Sequence, residues 1–164
     1  WFIKDQSGFM AQLIKDCIRF MAYCDKRGIK PAIRLNGTSD VRWELIKYDG
    51  LTIFEIFPDI MFYDYTKIAN RPLDIPNYKL TFSYSEASAV YEKQCFIALK
   101  RGMNIAVVFR DKESIPESFL GLQTIDGDKT DLRFLDPAQS IVALYAKGKA
   151  RKDQSGFVVD MVAA

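Results

Sequence analysis

Polar side chains follow four short apolar runs of the sequence, and these side chains are the ones that could do chemistry. The runs end in RLNGTSD at 34–40, YDYTK at 63–67, FSYSE at 82–86 and FRDK at 109–112. Cationic groups in these segments could hold a phosphate or a carboxylate, and their carboxylates could exchange a proton. The chain has no histidine, which excludes histidine-ligated zinc, Ser-His or Cys-His nucleophiles and imidazole catalysis. Any acid–base step must therefore use a carboxylate or a lysine.

The predicted site combines catalytic candidates with substrate-binding candidates. The catalytic candidates are Asp64, Glu86 and Lys67. The residues predicted to bind the substrate are Arg34, Asn36, Asp40, Thr66, Ser83 and Ser85. Lys67 and Arg34 would hold an anion, while Asp64 or Glu86 would exchange a proton, with a pKa tuned by burial. Gly37, next to Asn36, permits a close approach of the backbone to a ligand.

Helix capping offers a simpler explanation for some of these side chains. Ser39 or Asp40 could cap a helix in the segment that follows them, and Ser85 could cap a helix that begins at Glu86. Capping explains Asn36 less well, because a cap does not require a polar side chain inside or just past a strand. The sequence leaves both explanations open and favours the site for Asn36.

Two other charged segments offer different chemistry. The loop DGDKTDLRFLD carries carboxylates at Asp126, Asp128, Asp131 and Asp136, but its spacing departs from that of a calcium loop, so we predict a surface turn and no metal site. The run AKGKARK groups four cations that could follow a phosphate backbone, namely Lys147, Lys149, Arg151 and Lys152. With exposed aromatic side chains such as Trp43, this run makes nucleic-acid binding the alternative function. The formal net charge of +2 is too small to predict polyanion binding by itself.

The elements that must position these residues alternate between strands and helices. The apolar stripe of SGFMAQLIKDCIRFMAYCDKRG predicts a helix capped by Ser7 and ended at Gly28, and SEASAVYEKQCFIALKRG predicts a second helix. Strands are predicted for KPAIRLNG, IMFYDYT, YKLTFSYS, NIAVVFR, LGLQTID and SIVALYA, with a short helix in GLTIFEIF. This alternation predicts one α/β domain over 1–164, with a mainly parallel sheet and flanking helices, in the form of a partial TIM-like barrel. Parallel sheets bind ligands at the carboxyl ends of their strands, where the four polar segments lie.

The cysteines are three in number and widely spaced, which favours a reducing compartment over a disulfide scaffold. Cys17 and Cys24 lie on the apolar face of the first predicted helix, so we expect core residues rather than a metal pair. No run approaches the ~18 apolar residues of a membrane span, and no signal-peptide pattern opens the chain. We expect a cytoplasmic protein with no membrane partner. Because the sequence begins at Trp1, we also expect that it is a piece of a longer protein or a processed one.

The phrases RLNGTSDVRWE, FYDYTK, LTFSYSE, IAVVFR and IDGDKTDLRFLDP, in this order, resemble the gene product 88 family of phages and plasmids over about residues 28–160. Longer members of that family begin with a cysteine segment of the CxxxxCYA type, which would suit an iron–sulfur site and a radical-SAM-like partial barrel. This chain lacks the segment, so the resemblance implies no cofactor here. It implies a location in the cytoplasm of a host cell.

The sequence predicts an enzyme that binds a small phosphorylated or nucleotide-like molecule at the carboxyl ends of the strands. The alternative is a non-enzymatic accessory protein that binds nucleic acid or a host protein through the basic run.

Overall fold

The computed structural model describes residues 1–161, and the chain divides into two compact units. The first unit consists of Trp1–Tyr63 and Pro72–Lys79, and the second of Asp64–Arg71 and the chain from Leu80 onward. The helices are α1 (Gln6–Asp25), α2 (Ile53–Ile56) and α3 (Ala89–Lys100). The strands are β1 (Ala32–Ile33), β2 (Met61–Thr66), β3 (Tyr78–Ser83), β4 (Asn104–Phe109), β5 (Ser118–Phe119), β6 (Leu122–Asp126), β7 (Ile141–Tyr145) and β8 (Val158–Val159). That these residues form a single domain stays a prediction.

The strands form a sheet in the order β1-β2-β3-β4-β7-β6-β5, and β8 pairs with β4. The pairs β1–β2, β3–β4, β4–β7, β6–β7 and β4–β8 are parallel, whereas the β5–β6 hairpin is antiparallel. The predicted α/β class with a mainly parallel sheet is therefore confirmed. Within the described residues the sheet is not closed, because its order ends at β1 on one side and at β5 on the other. The predicted TIM-like barrel is not confirmed.

In the first unit, α1 follows the predicted stripe but begins at a different cap. The side chain of Asp5, rather than that of Ser7, accepts a hydrogen bond from the Gly8 amide at 2.8 Å. The buried face of the helix carries Met10, Cys17 and Cys24, which confirms both cysteines as core residues. Gly28 has φ +62°, the left-handed conformation predicted for a residue that ends a helix.

Aromatic side chains join the start of the chain to the segment after β1. The ring of Trp43 lies 5.4 Å from that of Phe2 and 6.2 Å from that of Phe9, measured between centroids. Trp43 is 5% exposed, so the expectation that it is an exposed aromatic surface residue is wrong. Its large apolar area is used for packing within the first unit.

In the second unit, α3 begins at Ala89, three residues later than the helix start at Glu86 that capping by Ser85 would require. Ser88 is the N-cap and its hydroxyl accepts from the Tyr91 amide, so Ser85 does not cap a helix that begins at Glu86. The helix ends in Lys-Arg-Gly, and Gly102 has φ +73°, as Gly28 does at the end of α1. None of the described helices is long and apolar enough to cross a bilayer.

Candidate functional site

A cation lies at the carboxyl end of β3 in the second unit. The Nζ of Lys67 donates to the backbone oxygen of Ser83 at 3.1 Å, and to the Ser83 hydroxyl and the Tyr84 oxygen at 3.5 Å each. The same Nζ lies 5.0 Å from the ring centroid of Tyr91 and 5.3 Å from that of Phe157. Oxygen atoms and aromatic faces both stabilise an ammonium group, so the positive charge of Lys67 is fixed at this position.

Helix α3 holds the loop that carries Lys67. The amide of Ala69 donates to Oε1 of Gln94 at 2.9 Å, and the guanidinium of Arg101 donates to the oxygen of Ala69. Upstream, the hydroxyl of the buried Thr66 accepts from the Ile68 amide at 3.0 Å, which tightens the turn after β2. The predicted binding residue Thr66 therefore shapes the loop of Lys67.

A hydrogen-bonded acid–base pair follows β3. The phenol of Tyr84 donates to Oε1 of Glu86 at 2.9 Å. Burial raises the pKa of Tyr84 well above its usual range, and the bond to Glu86 raises it further. Tyr84 therefore stays protonated and acts as a donor, while the exposed Glu86 is positioned to accept a proton. The ring of Phe119 packs edge-on against Tyr84 at 5.6 Å.

The C-terminal segment lies against the same strand end. The Gly156 oxygen accepts from the Glu86 amide at 2.6 Å and from the Ser85 hydroxyl at 3.4 Å. The Ser85 hydroxyl in turn accepts from the Ala87 amide at 3.2 Å. A Cβ at Gly156 would lie 2.8 Å from the Ala87 nitrogen, so only glycine permits this approach. Phe157, the next residue, is the one whose ring lies near Lys67.

The structure thus brings together four of the predicted site residues, namely Lys67, Ser83, Ser85 and Glu86. Sequence reasoning missed Tyr84, Tyr91, Gly156 and Phe157. Tyr84 lies inside one of the polar segments and could have been found there, whereas Gly156 and Phe157 lie in a distant part of the sequence that carries no comparable signal. Asp64 is fully buried on β2 in the same unit.

The remaining predicted binding residues, Arg34, Asn36 and Asp40, belong to the first unit. Oδ1 of Asn36 accepts from the Ser39 hydroxyl at 2.8 Å, the Val41 amide at 3.0 Å and Nε1 of Trp43 at 3.1 Å. Its Nδ2 donates to the Val41 oxygen at 3.0 Å. The buried amide of Asn36 therefore holds the loop that follows β1, and its role in binding a substrate stays a prediction.

The exposed Arg34 is tied to the same loop, because its Nε donates to the Asn36 oxygen at 3.3 Å. The segment after Asp40 forms only a 3-10 turn at Trp43–Leu45, whose N-cap makes no side-chain hydrogen bond. Neither Ser39 nor Asp40 therefore caps it, and that capping explanation is wrong.

The acidic loop is organised around an internal cation. Arg133 is fully buried, and its Nη2 donates to the oxygens of Gly127, at 3.1 Å, and Thr130. Its Nη1 lies 3.4 Å from a carboxylate oxygen of Asp136. Among the described residues no group of three or more acidic, cysteine or histidine side chains could hold a metal ion. The arginine in LRFLD was the sequence signal for this arrangement.

The basic run forms a 3-10 turn at Gly148–Lys152 on which Lys149, Arg151 and Lys152 are exposed. Arg110, which follows β4, pins this turn by donating to the oxygens of Arg151 and Asp153 at 2.9 and 2.8 Å. Arg110 also forms a two-point ion pair with Asp160 at 2.7 and 2.8 Å.

The fourth residue of the basic run is already paired. Nζ of Lys147 lies 2.6 Å from a carboxylate oxygen of Asp128, and this bond raises the pKa of Lys147. Three of the four predicted cations are therefore presented to solvent without an ion pair inside the described part of the chain.

Thiol chemistry is disfavoured at two of the three buried cysteines. Burial raises the pKa of Cys17 and of Cys95 to about 11, so both thiols stay protonated near neutral pH.

The cavities are lined by other residues than those of the predicted site. One, of about 550 Å³, lies in the first unit and includes Phe54, and another, of about 580 Å³, borders the β5–β6 hairpin. No sequence-predicted site residue lines either of them.

Comparison with protein families gives a match to the family described as gene product 88, over residues 1–161. The match confirms the resemblance seen in the sequence and extends it to the N-terminal helix. Comparisons with curated proteins and with solved structures give no match.

Proposed function

We propose that this chain, which belongs to the gene product 88 family, binds a small phosphorylated or nucleotide-like molecule at the carboxyl ends of β2 and β3. Lys67 would contact the anionic group. Of the two predicted carboxylates, Glu86 would exchange a proton with the bound molecule, because it is exposed whereas Asp64 is fully buried. The observation that carries the proposal is the ammonium of Lys67, held at the end of β3 by oxygens of Ser83 and Tyr84. A TIM-like barrel would place its site at the same ends of its strands.

The surroundings of Lys67 favour an anion. Tyr91, whose ring lies near Lys67, is in the first turn of α3, so the positive end of that helix dipole faces the same region. A helix N-terminus and a fixed ammonium both attract phosphate and carboxylate groups. Because Gln94 and Arg101 already fix the loop, little conformational entropy would be lost on binding.

The proton would be exchanged at a carboxylate. Glu86 is exposed and accepts from a phenol that burial keeps protonated. A carboxylate with one oxygen committed to Tyr84 retains its other oxygen for a substrate hydroxyl or amine. The Tyr84–Glu86 pair could therefore take up a proton without breaking its own hydrogen bond.

The test is a binding measurement with ribose 5-phosphate and with ribose, by heteronuclear NMR titration of the whole chain. We expect wild type to bind ribose 5-phosphate and not ribose. Lys67→Gln should bind ribose 5-phosphate at least about tenfold more weakly than wild type does, because a charged hydrogen bond is lost. Lys93→Gln, at an exposed position of α3, is the matched control and should bind as wild type does. Equal binding by wild type and Lys67→Gln, or equal binding of ribose, would overturn the proposal.

A second function is favoured by the exposed cations of the basic turn. Lys149, Arg151 and Lys152 point into solvent from one 3-10 turn, which Arg110 holds in place. A rigid group of three cations could contact successive phosphates of a nucleic acid. We propose it as the alternative to the small-molecule site, with a host protein as the other form of partner.

Salt dependence tests this alternative. The logarithm of the affinity for single-stranded RNA should fall linearly with the logarithm of the salt concentration, with a slope of about −0.7 for each phosphate contacted. The double variant Lys149→Gln/Lys152→Gln should lower the magnitude of that slope by about one to two, while Lys26→Gln/Lys93→Gln, with the same net charge, should leave it unchanged. A slope of zero, or equal slopes for the two double variants, would contradict nucleic-acid binding by this turn.

A further inference from the structure

The first unit contains a groove that no sequence-predicted residue lines. It has a volume of about 550 Å³ and is built by three segments, 44–47, 52–58 and 74–77. This volume lies in the range of cavities that bind small organic molecules. The groove is separate from the site proposed above, which lies in the second unit.

The floor of the groove is apolar. Phe54, Pro58, Ile75 and Pro76 contribute to its lining. Phe54 is itself stacked on Tyr78, with ring centroids 4.2 Å apart, so the floor has a fixed shape. An apolar body placed on these side chains would be removed from water, at roughly 25 cal/mol per Å² of buried apolar surface.

The walls of the groove are rigid. Nδ2 of Asn77 donates to three backbone oxygens, those of Phe54, Phe57 and Ile60, at 3.1, 3.0 and 3.1 Å. These contacts tie the 74–77 segment to α2 and to the start of β2. On the other side, Thr52 caps α2 in a reciprocal box with Glu55. A site held in this way before binding loses little entropy when a ligand enters.

The rim of the groove carries more negative than positive side chains. Three carboxylates, Glu44, Glu55 and Asp74, face one cation, Lys47. The side chain of Glu44 is 3% exposed and lies 3.3 Å from Nε of Arg42, so its charge is largely compensated. Glu55 and Asp74 are both exposed. The accessible part of the rim is therefore negative.

One carboxylate oxygen of Glu55 can accept a hydrogen bond from a ligand. Its Oε2 accepts from the amide and the hydroxyl of Thr52, at 2.7 and 2.8 Å. Its Oε1 accepts no hydrogen bond from the described part of the chain. The bonds from Thr52 hold the pKa of Glu55 below its usual value, so the carboxylate is ionised at neutral pH.

We propose that this groove binds a small amphipathic cation, with an apolar body on Ile75 and Pro76 and an ammonium or guanidinium group at Glu55 and Asp74. The site takes a small molecule rather than a peptide, because a peptide backbone adds polar groups at every residue. The donors of Thr52 and Asn77 that line the groove are already used within the protein, so those peptide groups would be desolvated without partners.

The test is an NMR titration of the whole chain with 2-phenylethylamine, and with 2-phenylethanol as the neutral analogue. We expect the amine to shift amides of the 44–47, 52–58 and 74–77 segments and to bind about threefold to tenfold more tightly than the alcohol. Asp74→Asn and Glu55→Gln should each remove about threefold or more of the affinity for the amine and leave that for the alcohol unchanged. Glutamine preserves the helix cap, and Asp74→Asn serves as a second variant if Glu55→Gln lowers stability.

Asp25→Asn is the matched control, because Asp25 is an exposed carboxylate of the same unit that does not line the groove. It should bind the amine as wild type does. Equal affinities for amine and alcohol, or shifts outside these segments, would overturn the proposal. Tighter binding of the peptide acetyl-Leu-Arg-Leu-amide than of the amine, with the same sensitivity to Asp74→Asn, would overturn the choice of a small molecule. None of these outcomes depends on Lys67, so the proposal and the proposed function fail separately.

Discussion

Replacing Asn36 by alanine separates a structural role of this residue from a role in binding. Alanine removes the acceptor of the Val41 amide and of the buried Nε1 of Trp43, and the donor to the Val41 oxygen. The Ser39 hydroxyl is exposed and can bond to water instead. If each of the three other bonds contributes about 1 kcal/mol, Asn36→Ala lowers the free energy of unfolding by about 3 kcal/mol.

Tryptophan fluorescence during urea unfolding measures this loss. Both tryptophans, Trp1 and Trp43, belong to the first unit, so the signal reports the unfolding of that unit. With a denaturant slope of about 1.5 kcal/mol per M, a loss of about 3 kcal/mol lowers the midpoint by about 2 M urea. Ser39→Ala, which removes only one exposed partner of Asn36, should lower the free energy of unfolding by less than about 1 kcal/mol.

Asn36→Asp refines the measurement. Aspartate keeps the oxygen that accepts from Val41 and Trp43, but it places a buried carboxylate oxygen against the Val41 oxygen, so it should lower the free energy of unfolding at least as much as alanine does. An unchanged midpoint for Asn36→Ala, with unchanged Trp43 emission, would refute the structural role. Binding would then be the remaining explanation of a buried amide at this position.

Three further changes test packing, backbone conformation and charge. Gly127→Ala would place a Cβ 2.6 Å from Cγ1 of Val142, so thermal unfolding should show a loss of about 1–3 kcal/mol, whereas Gly37→Ala, with nothing within 4 Å, should show no such loss. Leu120 has φ +52° at the tip of the β5–β6 hairpin, so Leu120→Asn should raise the free energy of unfolding by about 0.5–1 kcal/mol in urea titrations. The ion pair of Asp160 holds its pKa below the usual value, so this stabilisation is present above about pH 4 and is lost as pH falls through the folded-state pKa. The difference in urea midpoint between wild type and Asp160→Asn should therefore shrink between pH 6 and about pH 2.5, and a difference independent of pH would contradict this.

Strongly patterned segments were predictable from the sequence, while their exact ends were not. The apolar stripe of α1 and the apolar run of β4 determine those elements through burial. The capping residues were missed because several polar residues near each helix start can accept a hydrogen bond from the free backbone amides of the first turn. Asp5 caps α1 and Ser88 caps α3, each only two or three residues from the predicted serine. Which residue caps the helix depends on the position at which the backbone leaves the helical conformation, and composition does not determine that position.

The first predicted strand shows how a side chain can override an apolar pattern. KPAIRLNG was expected to be extended throughout, but only Ala32–Ile33 forms β1. Asn36 binds the backbone of Val41 and thereby turns the chain out of the sheet. A buried asparagine that competes with ladder hydrogen bonds was visible in the sequence as a residue type, but its partners were not.

The candidate site after β3 was predictable only for the residues that the strand ends contribute. The rule that ligands bind at carboxyl ends of parallel strands assigned Lys67, Ser83 and Glu86 to one predicted site, and the structure shows the contact between Lys67 and Ser83. Gly156 and Phe157 reach the same place because β8 pairs with the end of β4, and a two-residue strand has no periodicity from which to predict it.

Two cations of the second unit, Arg133 and Lys67, differ in a way that bears on the proposed function. The fully buried guanidinium of Arg133 is committed to loop oxygens and to Asp136, and moving it would leave a buried charge without partners. Lys67 is only half-buried, and its oxygen contacts at 3.1–3.5 Å are longer than the roughly 2.7–2.9 Å of a strong charged hydrogen bond. Under the proposed function, an incoming phosphate would replace these contacts with shorter hydrogen bonds and leave the backbone in place. Arg133 stabilises its own loop, and we propose Lys67 rather than Arg133 as the cation that contacts an anion.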